Sequence, residues 1–211
     1  MDLVSYLSNI YGYDTPIFLK DVRIGRKSKT AIREAFYRAT KNGDLNKEGP
    51  GIYSLKNKTN DLVPVVTFES IVLKKFIYEN GNDEFNDLFV CGYFSGMTFL
   101  NMIGISEQVP AIYEITTNKT SSKKRFYKAG KRWAILRKGK TEINYQNYRM
   151  LQFLDMFRFL SLWEIKEKRD ILTSYIKKHK LTEKQFNQYI GLYGADTIKK
   201  IVEGGLLDAF I

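Results

Sequence analysis

"SKTAIREAFYRATKNGDLNKEGPGIYSLK" occupies residues 28–56. In its first half Ala31, Ile32, Ala35, Phe36 and Ala39 recur at helical spacing and share one face of a 3.6-residue helix. Thr30, Glu34, Tyr37 and Lys41 fall on the opposite face, Arg33 and Arg38 flank it, and Lys29 lies in the first turn. Ser28 is a capping residue type and Gly43 a stop signal, so a helix is predicted from 28 to about 42. The second half sets Gly49-Pro50-Gly51 between two strand-like pieces, 45–47 and 52–55, which predicts a tight hairpin. An ordinary amphipathic helix with a solvated face satisfies the first half by itself. A helix that reads DNA needs the same apolar face to hold it, small alanines for close approach, and long polar side chains outside. Arg suits that role because it can form paired bonds to guanine.

The flanking residues tip the balance towards DNA. Asp2 can cap a helix with Leu3, Tyr6, Leu7 and Ile10 on one face, ended by Gly12. Thr15-Pro16 is a helix-start signal, predicting a short helix from Ile17 to about Val22. A basic turn, residues 23–27, surrounds Gly25. Helix, helix, turn, helix, hairpin is the order of a winged helix-turn-helix. Arg33, Tyr37 and Arg38 are then the base-contact candidates, and Lys27, Lys29, Lys41 and Lys47 position phosphates. Arg26 and Thr30 complete the DNA-facing set.

Charge supports a polyanionic partner. The 211-residue chain has a formal charge of +11. Residues 1–60 hold 11 Lys/Arg against 6 Asp/Glu, residues 61–115 hold 2 against 8, residues 116–150 hold 11 against 1, and residues 151–211 hold 10 against 8. Two basic blocks are thus separated by an acidic one, and basic surfaces draw nucleic acid or phosphate at long range. Cys91 and His179 are the sole residues of their types, which argues against disulfides, His/Cys metal sites and Ser-His-Asp catalysis. No catalytic residue, metal or cofactor is expected. No apolar run reaches the roughly 18–20 residues of a membrane span. Asp2 and Ser5 interrupt any secretory pattern, so a cytoplasmic chain is expected.

The polar stretch at 57–64 reads as a domain boundary, giving a winged helix over 1–60 and a second domain over 61–211. The fold class expected is α+β, mixed and helix-rich, with a small sheet packed by helices in the second domain. Thr67 can cap a helix through about Glu79. Residues 87–94 read as one buried strand. Ser95 can cap a helix over 96–103, and 109–118 alternate as a strand. Two strands follow, over 124–128 and 132–137, with a turn at Gly130. A long helix is expected from Asn144 to about Leu160, and 164–211 read as helical, with a capping box at Thr182 and Gln185.

"GYFSGMTFLNMIGISEQVPAIYEITTN", residues 92–118, is the most distinctive stretch beyond the boundary. It is not a nucleophile elbow, because the serine falls one place late for G-x-S-x-G, nor a phosphate loop, because no Gly-Lys-Ser/Thr follows. Strand, helix and strand at the centre of a core explain its apolar positions, and Ser95 reads as a helix cap. The basic block follows it. Lys123, Lys124, Arg125, Lys128, Lys131, Arg132, Arg137 and Lys138 form either a solubilising surface or a patch for a polyanion such as RNA, a nucleotide or a phosphorylated protein.

Together, the N-terminal winged helix ending in "GIYSL", the 92–118 stretch, the basic strands and "INYQNYRMLQFLD" (residues 143–155) resemble the AbiEi family. These are antitoxins of type IV toxin–antitoxin systems, first known as phage-abortive-infection loci. The resemblance covers most of the chain. It implies a non-enzymatic, bifunctional protein whose N-terminal domain binds inverted repeats of double-stranded DNA in its own promoter and represses the operon. The C-terminal domain would counteract a nucleotidyltransferase-type toxin without a stable complex. By position the recognition helix falls on Lys29 to Lys41. The expected form is a monomer in solution that binds DNA cooperatively. Assigning the basic strands to antitoxin work comes from their charge. The alternative is a DNA-binding regulator whose second domain binds an anionic effector or RNA.

Overall fold

The computed structural model describes residues 2–13, 15–56, 66–80 and 88–210, and its architecture is mixed α+β. Two compact units divide the chain: Met1–Lys74 with Lys128–Arg132, and Lys75–Tyr127 with Trp133–Ile211. The boundary expected at 57–64 lies outside the described residues.

In the first unit α1 (Leu3–Tyr11) buries Leu7 completely. Its packed face is rotated from the expected one: Leu3, Val4, Tyr6 and Tyr11 touch the core, whereas Ile10 is 55% exposed. Asp2 stands at the N-cap position without a side-chain capping bond. The helix expected over 17–22 does not form. Ile17–Phe18 is a short strand, β1, paired antiparallel with β3 (Ile52–Leu55), and Leu19–Asp21 makes one 3-10 turn. Pairing with β3 buries both Ile17 and Phe18, and Pro16, which has no N–H to donate, is tolerated at the start of an edge strand. α2 (Lys29–Lys41) is capped by Ser28, whose Oγ accepts the Ala31 N–H at 3.2 Å. β2 (Leu45–Gly49) returns against β3 in the register Leu45↔Leu55, completing the order β1-β3-β2. Pro50-Gly51 makes the turn, and Gly51 at φ 69° supplies the left-handed position a Pro-Gly turn requires. Leu7, Ile17, Val22, Ile32, Phe36, Ala39, Leu45 and Leu55 close the core, and Phe36 meets Tyr53 edge-on at 5.0 Å.

Thr67 caps α3 (Phe68–Val72) by accepting the Ser70 N–H at 3.0 Å. The helix continues as a π-helical turn, Leu73–Ile77, and the unit division falls within that turn. It stops short of the expected Glu79 because β4 (Tyr78–Asn80) pairs with β5 (Leu88–Val90).

The four-stranded sheet has the order β6-β7-β9-β8. β6 (Gly92–Phe94) runs antiparallel to β7 (Ile112–Thr117), β7 runs parallel to β9 (Arg132–Arg137), and β8 (Arg125–Ala129) forms the edge. The single strand expected over 87–94 is therefore two, β5 and β6, separated at Cys91. The Cys91 N–H bonds the Ile77 carbonyl and its own carbonyl accepts the Asn118 N–H, each at 2.8 Å. α4 (Gly96–Met102) connects β6 to β7. α5 (Tyr148–Met156) is shorter than expected, because 144–147 form a turn closed by the Asn144 and Asn147 side chains. α6 (Leu162–Glu167), α7 (Arg169–Lys178), α8 (Glu183–Tyr189) and α9 (Ala195–Glu203) follow. The capping box at Thr182 and Gln185 is formed, and a second, unforeseen one joins Ser161 and Glu164.

His179 ends α7 with its ring 4.4 Å from that of Tyr175. Burial, helped by Arg149 and Lys178, lowers its pKa from 6.5 to about 4. The unfolded chain takes this proton near 6.5 and the folded chain resists it, so the stability His179 contributes is full above 6.5 and is lost as pH falls towards about 4. Asp155, raised by burial, works in the opposite sense at the acid end. The chain should therefore lose more urea stability than His179→Gln between neutrality and the acid end of that window. Parallel losses in the two proteins would remove His179 as the cause.

Candidate nucleic-acid interface

The outer face of α2 is built by its inner one. Ile32, Phe36 and Ala39 are buried, which fixes the helix rotation. Lys29, Thr30, Arg33, Glu34, Arg38 and Lys41 are consequently exposed, and Tyr37 is 68% exposed. Four cations face one acid, and among the described residues no ion pair engages Lys29, Arg33, Arg38 or Lys41. The preceding turn is held in place from inside. Arg23 donates to the carbonyls of Lys20 at 2.7 Å and Val22 at 3.0 Å, and the Tyr6 hydroxyl donates to the Arg23 carbonyl. Arg26 and Lys27 remain exposed, while Arg23, basic in sequence, is spent on the turn. Lys47 is exposed on β2, and the neighbouring Glu48 accepts the Ser54 hydroxyl at 2.6 Å.

The basic residues of 123–138 are divided between the two units. Lys128, Lys131 and Arg132 are exposed and belong to the first unit. There Ala129 approaches the hairpin closely: a Cβ on Gly49 would meet the Ala129 Cβ at 3.6 Å. Lys123, Lys124, Arg125 and Lys138 are exposed in the second unit. Arg137 is partly buried and donates to Glu114 Oε2 through Nη2 at 3.0 Å and Nε at 3.3 Å. An open pocket of about 430 Å³ lies between Asn118, Thr120, Lys138, Lys140 and Glu142. Asn118 is committed to the backbone of Ile143, which it both donates to and accepts from.

Ser95 stands at the N-cap position of α4 but makes no capping bond, contrary to expectation. Its Oγ instead accepts from Thr116 Oγ1 at 3.0 Å, and Thr116 also lies 3.4 Å from Asp155 Oδ2. Asp155 is paired with Arg158 at 3.1 Å. Burial holds its carboxyl above the usual range against the pull of Arg158. Tyr93 and Tyr193 are likewise pushed up by burial. These groups tie β6, β7 and α5 into one hydrogen-bonded core. Among the described residues no group of three or more His, Cys, Asp or Glu could hold a metal ion, and no helix is long and apolar enough to cross a membrane. Comparison with protein-family models, curated proteins and solved structures gave no match.

Proposed function

We propose that the chain is a DNA-binding autorepressor that also serves as the antitoxin of a type IV toxin–antitoxin pair, and is not an enzyme. The outer face of α2 carries the first half of this reading: four cations and an exposed Tyr37 on a helix locked from within. Its 13 residues span roughly 20 Å, long enough to lie in a major groove. The element order supports a winged helix-turn-helix in which one 3-10 turn, Leu19–Asp21, stands for the middle helix and β2–β3 for the wing. Arg33, Tyr37 and Arg38 then reach base edges, and Lys27, Lys29, Lys41 and Lys47 meet phosphates. The antitoxin half rests on the resemblance of residues 92–118 and 143–155 to the AbiEi family. It implies a nucleotidyltransferase-type toxin as functional partner, without a stable complex.

The test is a gel shift and footprint on the DNA upstream of the chain's own gene. Full-length protein should protect paired inverted repeats. If about four lysines displace counterions, affinity should fall roughly 100-fold between about 50 and 200 mM salt. Arg33→Ala should weaken operator binding by about tenfold or more while leaving random DNA less affected. Equal loss on both would make Arg33 a phosphate contact, and absence of any specific footprint would overturn the repressor reading.

A regulator with an anionic effector is the second reading, favoured by the pocket holding Lys138 and Lys140. It requires operator affinity to change with a small anion, and Lys138→Gln to abolish that response without touching DNA binding itself.

A further inference from the structure

Arg149, in the first turn of α5, carries a charge that no acid answers. Its Nη1 donates to Gln152 Oε1 at 3.3 Å, and its Cζ lies 4.6 Å from the centre of the Tyr148 ring. Its Nε is shielded from solvent and has no acceptor, the sole buried side-chain nitrogen or oxygen left so among the described residues. Among those residues no Asp or Glu forms an ion pair with it. The polar groups that act on the guanidinium are the hydroxyls of Tyr148 and Tyr175, and the Tyr175 hydroxyl is itself committed to Gln152 Oε1 at 3.0 Å. The helix adds to the cost, because the positive end of its dipole repels a cation in the first turn. A desolvated donor on a partly buried, unpaired cation calls for an explanation, and a bound anion supplies one. Arg149 is only partly buried, so such an anion reaches it from solvent.

The surroundings define the anion. His179 sets its ring 4.4 Å from that of Tyr175, and Lys178 precedes it, exposed, in the last turn of α7. Arg149 and Lys178 both act on His179, and among the described residues no acid pairs with either cation. Two unanswered cations match the dianion of a phosphate monoester better than a single carboxylate. Nε and Nη2 form the guanidinium edge that grips two oxygens of one phosphate. Tyr148, beside the guanidinium, has the Tyr145 ring as its neighbour at 6.1 Å, and Tyr145 is 73% exposed. An exposed ring next to a phosphate grip fits an aromatic base, whereas a sugar phosphate leaves that ring unused.

We propose that Arg149 grips the phosphate of a nucleoside monophosphate, with Lys178 as its second cation and the Tyr145 ring stacking on the base. The site shares no residue with the Lys138 pocket and does not depend on whether α2 binds DNA.

His179 is the chain's only histidine, so its Cε1 proton is a single NMR reporter beside the site. In the full chain near neutral pH, uridine monophosphate should shift that signal saturably, with half-saturation below about 1 mM. The titration midpoint of His179, held at about 4 by burial together with Arg149 and Lys178, should rise, because a bound phosphate offsets the repulsion from both cations. Inorganic phosphate should bind several-fold more weakly, and Tyr145→Leu should bring the nucleotide down to that level. Arg149→Lys keeps the charge without the two-pronged edge and should weaken binding about tenfold. Lys138→Gln should leave it unchanged. A shift still linear at about 10 mM nucleotide overturns the site. So does undiminished affinity in Arg149→Lys with the circular dichroism of the parent, or equal loss in Lys138→Gln. Inorganic phosphate bound as tightly as the nucleotide overturns the choice of nucleotide.

Discussion

Phe36→Ala should cost the first unit about 3–5 kcal/mol and with it most of its order. Phe36 has no exposed surface and sits among the eight buried residues that close this core. Its ring also packs edge-on against Tyr53 of β3, so it joins α2 to the hairpin. A unit on the order of 80 residues has a total stability of roughly 4–12 kcal/mol. One substitution therefore removes a large share of it. Amide hydrogen exchange is the measurement that separates the units. Peptides from 2–56 should lose protection, and the proposed DNA binding should fall with them. Peptides from 133–210 should keep theirs. Loss of protection in both sets would show one cooperative block instead of two units.

Gly92→Ala should be the most damaging small substitution in the second unit. A Cβ there would lie 2.4 Å from the Phe76 carbonyl oxygen and 2.8 Å from that of Thr116. Both are backbone atoms, so no side chain can swing aside. The methyl must push β6 off β7, breaking the pairing Gly92↔Thr117 that begins their ladder. The Thr117 hydroxyl, which donates to the Phe76 carbonyl at 2.6 Å, would be displaced too. The expected cost is about 3 kcal/mol, a drop in melting temperature of roughly 10 °C. Gly191→Ala is the matching control, since its added Cβ meets nothing within 4 Å. Equal melting temperatures for the two variants would disprove the close approach.

What could be read in the sequence was what neighbours along the chain decide. The inner face of α2 follows from the spacing of Ile32, Phe36 and Ala39, and the hairpin from Gly49-Pro50-Gly51. Thr67 and Thr182 cap as their positions predict. The misreadings arise where a distant partner intervenes. Ile17 and Phe18 follow a helix-start signal, yet β3, some 35 residues on, draws them into a strand, since strand formation depends on partners more than on local preference. Ser95 has the chemistry of a cap, but Thr116, 21 residues away, takes its hydroxyl. Arg137 counts as a surface cation until Glu114 is seen beside it. Alternation put Phe126 on a face of a strand, but which face stays open depends on what the rest of the chain lays over the sheet. The candidate DNA face was thus legible residue by residue. The basic strands were legible only as composition.

The first unit is completed by Lys128–Arg132, which leave the ribosome long after Lys74. Roughly fifty residues must be added in between, which takes about 3–11 s at typical elongation rates. The nascent chain therefore exposes α1, α2 and the hairpin before the segment that packs beside Gly49 exists. A chain released early, before residue 128, ends with its first unit lacking that segment. Translation itself thereby times the completion of the first unit, and synthesis must reach the middle of the second before the first is whole.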